Sequence, residues 1–120
     1  MSRSLVVKVT CGAEEAERSN QGFTVAASAV AAGAPVSLWL TGEAAWLAVP
    51  GRAELFDLPH ATPLADLLAL VIDTGRVTVC SQCAARREIG EEDVIDGIQI
   101  AGAAVFAEKI LQDDVQVVVY

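Results

Sequence analysis

No stretch of this 120-residue chain approaches the roughly 18 consecutive apolar residues that span a bilayer. The first residues carry neither a long hydrophobic segment nor a small-residue cleavage pattern, so no signal peptide is expected and a cytoplasmic chain, free of membrane, is. Basic residues are scarce: eight Lys and Arg stand against sixteen Asp and Glu, a formal charge of −8 with a pI near 4.4. A field of that sign repels phosphate backbones, so nucleic acid is not an expected partner. Gly-x-Gly-x-x-Gly is absent, and no Ser/His/Asp set is anchored by a motif. Repeats, low-complexity tracts and linkers are also missing, which leaves one domain over residues 1–120.

Cysteine is sparse as well. Cys11, Cys80 and Cys83 make an odd count, and a cytosolic chain does not use thiols as a disulfide framework. With His60 they reach the four donors that structural zinc needs. Only one Cys-x-x-Cys pair exists, however, and His60 has no partner at ligand spacing, so neither a metal nor a cofactor is expected.

What is present is apolar. A 53% hydrophobic content, much of it alanine, and a mean hydropathy of +0.45 require a folded core rather than disorder. Ser4 to Thr10 is a β-branched run of the kind buried on both faces of a parallel sheet, ended by Cys11 and Gly12. A loop over Ala13 to Asn20 leads to a helix through about Ala32, with Phe23, Ala26, Ala27 and Val30 at helical spacing and Gly33 as its stop. Val36 to Leu40 reads as the second strand, Glu43 to Val49 as a short helix, and Arg52 to Leu58 as a third strand. Thr62 and Pro63 read as the cap and first turn of a helix carrying Leu64, Leu67, Leu68 and Val71 up to Gly75. Val77 to Cys80 is the fourth strand, followed by a short helix from about Ser81 to Arg87 and a charged loop to Asp93. Ile98, Gly102, Val105 and Phe106 mark a last long helix through about Leu111, and Gln116 to Tyr120 a fifth strand. Strands alternating with helices predict an α/β fold: a three-layer α/β/α sandwich around a mostly parallel five-stranded sheet, Rossmann-like.

Such sheets bind ligands at the carboxyl ends of their strands. Cys80 falls there, directly before a helix whose first amides and dipole favour a thiolate, with Arg86 and Arg87 a turn or two further on. A lowered pKa would make Cys80 a sulfur nucleophile near neutral pH. Cys83, three residues later, is either a second working thiol or a small hydrophobe of the helix face. Cys11 lies at another strand end and is read as a binding or packing residue. Glu14, Glu15 and Glu17 belong to a solvated loop unless they face the Cys80 pocket, and Trp39 and Trp46 are core or subunit contacts.

This layout resembles the DsrE/DsrF-like family, which includes the TusD-type sulfur-relay proteins. The resemblance rests on the opening strand, the helix with Phe23 and the Ala26-Ala27 pair, Gly33, and the strand ending in Thr41-Gly42. It extends to the Pro/Leu-rich helix, Cys80 followed by Cys83-Ala84-Ala85-Arg86-Arg87, Ile98, Gly102 and the closing apolar strand. It implies a DsrEFH-like sandwich, a persulfide on Cys80, sulfur donor and acceptor proteins or small thiols as partners, and homo- or hetero-oligomers. A sulfurtransferase or sulfur carrier is therefore expected. Two other readings stay open: a non-catalytic oligomeric binding module, and a dithiol redox protein using Cys80 and Cys83.

Overall fold

Five short apolar runs pair side by side, and the helices between them decide which sheet face is dry. The computed structural model describes residues 3–120. Strands β1 (Ser4–Val9), β2 (Val36–Leu40), β3 (Arg76–Cys80), β4 (Ile98–Ala101) and β5 (Val115–Val119) form one parallel sheet in the order β4-β3-β2-β1-β5. Helices α1 (Ala16–Ala31), α2 (Leu64–Thr74), α3 (Ser81–Arg86) and α4 (Ala103–Ile110) connect them, with short 3-10 segments in the loops.

The register aligns Val7, Leu38, Val77 and Ile98 across four strands. This row and the next, with Val9, Leu40 and Val79, face Phe23, Ala26 and Ala27 of α1, Leu64, Leu68 and Val71 of α2, and Ala84 of α3. Small alanines on α1 let it pack closely beside α2, and the Leu64, Leu68, Val71 spacing turns one stripe of α2 inward. Each fully buried Val, Leu or Phe here stabilises the fold by ~1.5–3 kcal/mol relative to exposure.

The other face carries Val6, Lys8, Ser37, Trp39, Arg76, Thr78 and Gln99, and among the described residues α4 is the helix that lies over it. Phe106 meets Trp39 edge-on at 5.2 Å and 78°, and the Lys8 ammonium sits 5.0 Å from the Phe106 ring centre. Helix α4 buries no residue completely. A groove of about 490 Å³ remains open beside it, lined by Ser37, Arg76, Thr78 and Gln99 of the sheet and by Val105 and Lys109 of α4.

Several local expectations are corrected. Residues 52–58 are not a strand: Ala53–Leu55 is a 3-10 turn, and Leu55 is 79% exposed. The segment spans the crossover from β2 to α2, where no neighbouring strand edge is offered. Conversely, Ile98–Ala101 is strand β4, and the last helix begins only at Ala103, after Gly102. Gly97, at φ +98°, turns the chain into that strand. Helix α1 starts at Ala16, inside the expected loop. At α2 the capping residue is Pro63, whose carbonyl accepts from the amides of Asp66 and Leu67, and no side chain, Thr62 included, caps the helix.

Candidate functional site

The carboxyl edge of the sheet brings the ends of β1, β2 and β3 together. Cys80 ends β3 in extended conformation (φ −63°, ψ 127°) and serves as the capping residue of α3. Burial is the largest influence on its thiol and pushes the pKa up. That push is outweighed by the backbone amides of Cys83 and Gln82, the Cys83 thiol and the Lys8 ammonium, so the Cys80 pKa lies below the ordinary cysteine value. Cys80 is half-buried and unbridged.

Cys83 is also half-buried and unbridged. Its Sγ accepts a hydrogen bond from the Gly42 amide at 3.2 Å. Gly42 stands just past β2 with φ +55°, and a Cβ there would lie 2.5 Å from the Thr10 carbonyl oxygen, so only glycine fits. The turn is tied to β1, because the Thr41 amide and hydroxyl both donate to the Val9 carbonyl, at 2.9 and 3.2 Å.

Arg87 does not point at Cys80. Its Nε and Nη2 donate to Glu43 Oε2 at 3.1 and 2.8 Å, and its Nη1 donates to the Cys83 carbonyl at 3.1 Å. Arg86 is exposed on the outer side of α3. The cation that lowers the Cys80 pKa is therefore Lys8, which the sequence reading passed over. A lone lysine inside the apolar run of β1 was the signal available for it, as was the Thr-Gly-Glu at the end of β2 for Gly42 and Glu43.

Cys11 stands apart. It is 4% exposed, its thiol makes a long contact of 3.9 Å to the Glu15 carbonyl, and burial, ahead of the nearby Glu14 and Glu15, holds its pKa up against Arg18. Glu14, Glu15 and Glu17 are exposed, with Glu14 accepting from the Gly12 amide at 2.8 Å and Glu15 pairing with Arg18 at 3.5 Å. Trp39 is core, whereas Trp46 is half-buried under the Arg52 guanidinium at 4.4 Å. Among the described residues no group of three or more His, Cys, Asp or Glu is placed to hold a metal ion, and no helix is long and apolar enough to cross a membrane.

A five-stranded parallel sheet with helices on both faces defines an α/β protein, and Cys80 stands at the end of one of its strands. The chain belongs to the DsrE/DsrF-like family, whose model matches residues 3–119. Among solved structures it is similar to the YchN protein of E. coli, with a TM-score of 0.83 at 18% identity over 100% of both chains. It is also similar to MTH1491, a protein of unknown function from Methanobacterium thermoautotrophicum, with a TM-score of 0.62 at 8% identity over 100% of both chains. At such identities the likeness speaks for the fold alone. Among curated proteins none matches the chain.

Proposed function

We propose that this chain is a one-domain sulfur carrier of the relay type, working through Cys80. The Cys80 thiolate attacks the outer sulfur of a donor persulfide, the S–S bond of the donor breaks, and the donor departs as its own thiolate. An acceptor thiolate then takes the outer sulfur from Cys80 and returns Cys80 to its starting form, so no net oxidant or reductant is consumed. The observation that supports this most is the polar shell of Cys80: the Gln82 and Cys83 amides favour the anion as nucleophile in the first step and as leaving group in the second.

Membership of the family supports the same reading, and the partners it calls for are thiol proteins or small thiols. Apolar exposure on the α4 side, with Val105, Leu111 and Val119 all open to solvent, supports assembly with further copies of the chain. The acidic composition fits a cytoplasmic carrier. Cys11 is assigned a packing role, and Arg86 none in the transfer.

The test is mass spectrometry of the intact chain and its peptides after incubation with a low-molecular-weight persulfide. A gain of one sulfur on the Cys80 peptide is expected, with loss of that sulfur to an added thiol. No added sulfur on Cys80 sinks the proposal. A Cys80 that titrates like a free cysteine supports the binding-module reading instead.

The Cys-x-x-Cys spacing of two unbridged, half-buried thiols favours a second reading, in which Cys83 attacks Cys80 and forms a disulfide. From a persulfidated Cys80 that step releases sulfide and needs a dithiol reductant to reset it. Cys83→Ser separates the two: the relay variant still takes up sulfur on Cys80, whereas a redox protein loses its reversible intrachain disulfide.

A further inference from the structure

Most of the eight basic side chains of this chain are engaged within the fold. Arg18 and Arg87 pair with Glu15 and Glu43, Arg3 donates to Gln116, and Lys8 and Arg52 lie over the rings of Phe106 and Trp46. Arg76 and Lys109 are different. Among the described residues neither side chain makes an ion pair or a hydrogen bond within the chain, and both line the groove of about 490 Å³ on the open face.

The two cations reach that groove from different elements, Arg76 from the start of β3 and Lys109 from the last turn of α4. Strand alternation puts Arg76 and Thr78 on one face of β3, and the register sets Ser37 beside Arg76 and Gln99 beside Thr78. Two cations and these three neutral polar side chains therefore share the groove, and neither Asp nor Glu lines it. In a chain of formal charge −8 this is a local field of reversed sign. Val36, Trp39 and Val105 add apolar wall, and the volume falls within the roughly 300–1,000 Å³ of small-molecule sites.

Helix ends account for part of the positive charge. Lys109 belongs to the last turn of α4 and Arg76 stands two residues past α2, where carbonyl ends favour cations. Each such end carries only about half an elementary charge, so two whole cations leave an excess of about one positive charge.

We propose that this groove is a binding site for a small organic carboxylate, its oxygens held by Arg76 and Lys109 and its remaining hydrogen bonds completed by Ser37, Thr78 and Gln99. The Arg76 fork offers two parallel N–H groups, the match of a planar carboxylate. A phosphate is cradled instead by the amides of a glycine-rich loop or a helix start. The amides of β2 and β3, strands paired on both sides, are spent on the ladder. The site lies beyond the sulfur-carrier reading and does not rest on it.

Glutarate, titrated at low salt into the full ¹⁵N-labelled chain and followed by amide shifts, tests the site. Saturable shifts are expected at Thr78, Gln99 and Lys109, absent with the uncharged diamide of glutarate and weaker as salt rises. Arg76→Met should weaken binding about tenfold, the size of one charge-assisted hydrogen bond. Arg76→Lys, which keeps the charge but not the fork, should lie between wild type and Arg76→Met. Lys109→Met should cost less than Arg76→Met, and Cys80→Ser should bind like wild type.

An absence of saturable shifts at the groove overturns the proposal and leaves the two cations to the helix ends. So does binding that Arg76→Met leaves unchanged. Inorganic phosphate that displaces glutarate at a lower concentration than glutarate itself needs overturns the carboxylate assignment. Arg76 is exposed, and should its variant still not fold, Lys109→Met carries the same comparison. A Cys80 that gains no sulfur from a persulfide overturns the carrier reading and leaves the groove standing.

Discussion

The two faces of the sheet are built from the same five strands and end up in different physical states. Under α1, α2 and α3 the rows through Val7 and Val9 meet two long helices and are dry. Under α4 the sheet meets a helix of eight residues that buries none of them completely, and Arg76 and Gln99 stay exposed. Direction of travel explains the contrast. Three successive crossovers step the same way across the sheet and, being right-handed, pack on one face, while the single return from β4 to β5 packs on the other. The dry face supplies stability. The open face leaves apolar side chains in solvent, with Leu111 at 82% and Val119 at 61% exposure.

Truncation should expose this difference most strongly. Leu38→Ala, fully buried at the centre of the dry face, should cost about 2–5 kcal/mol in urea unfolding. Gln99→Ala on the open face should cost less than about 0.5 kcal/mol at dilute concentration. If Gln99→Ala costs as much as Leu38→Ala, the open face is covered in solution. A concentration-dependent unfolding midpoint would then identify the cover as other copies of the chain.

Next in size is Gly42→Ala. It forces a side chain into a left-handed conformation and against the Thr10 carbonyl. A loss of about 1–3 kcal/mol in urea unfolding is expected from the backbone alone. An unchanged unfolding midpoint would mean that a side chain is tolerated at that position. Lys8→Met should act in the opposite proportion. Its effect is electrostatic, so the pH midpoint for alkylation of Cys80 by iodoacetamide, read by peptide mass spectrometry, moves up while the strand Lys8 sits on remains paired. A midpoint that stays put removes Lys8 from the site.

Much of the dry face was legible because its residues repeat. The helical spacing in α2, the β-branched runs and the glycine stops gave β2 its observed bounds and placed Cys80 at a strand end. The open face was harder to read. Arg76 and Gln99 alternate with Val77, Ile98 and Ile100, which is the signature of a strand wet on one side, yet Thr78 between the valines is buried and the runs are too short for that period to stand out. Ile98, Gly102 and Val105 mimic one helix because a four-residue strand abuts an eight-residue helix. The site was legible at Cys80 and obscure at Gly42, Glu43 and Lys8. Those residues lie far from Cys80 in sequence and converge only through the parallel registers of β1, β2 and β3.

The smallest effect separates the two strand-end cysteines by sign. For Cys80 the folded pKa lies below that of the unfolded chain. Between the two values the unfolded chain holds a proton that the native one has released, so stability rises with pH there and is lost as pH falls through the folded value. For Cys11 the folded pKa is raised, mainly by burial. Its contribution is complete below the unfolded value of about 8.5 and is lost as pH climbs through the window above it. The stability gap between wild type and Cys80→Ala should therefore widen from pH 6 to pH 9, while the gap for Cys11→Ala should narrow above about pH 8.5. Equal gaps for Cys80→Ala at both ends of the range would mean that folding does nothing to favour its thiolate, and the feature that distinguishes Cys80 from Cys11 would be gone.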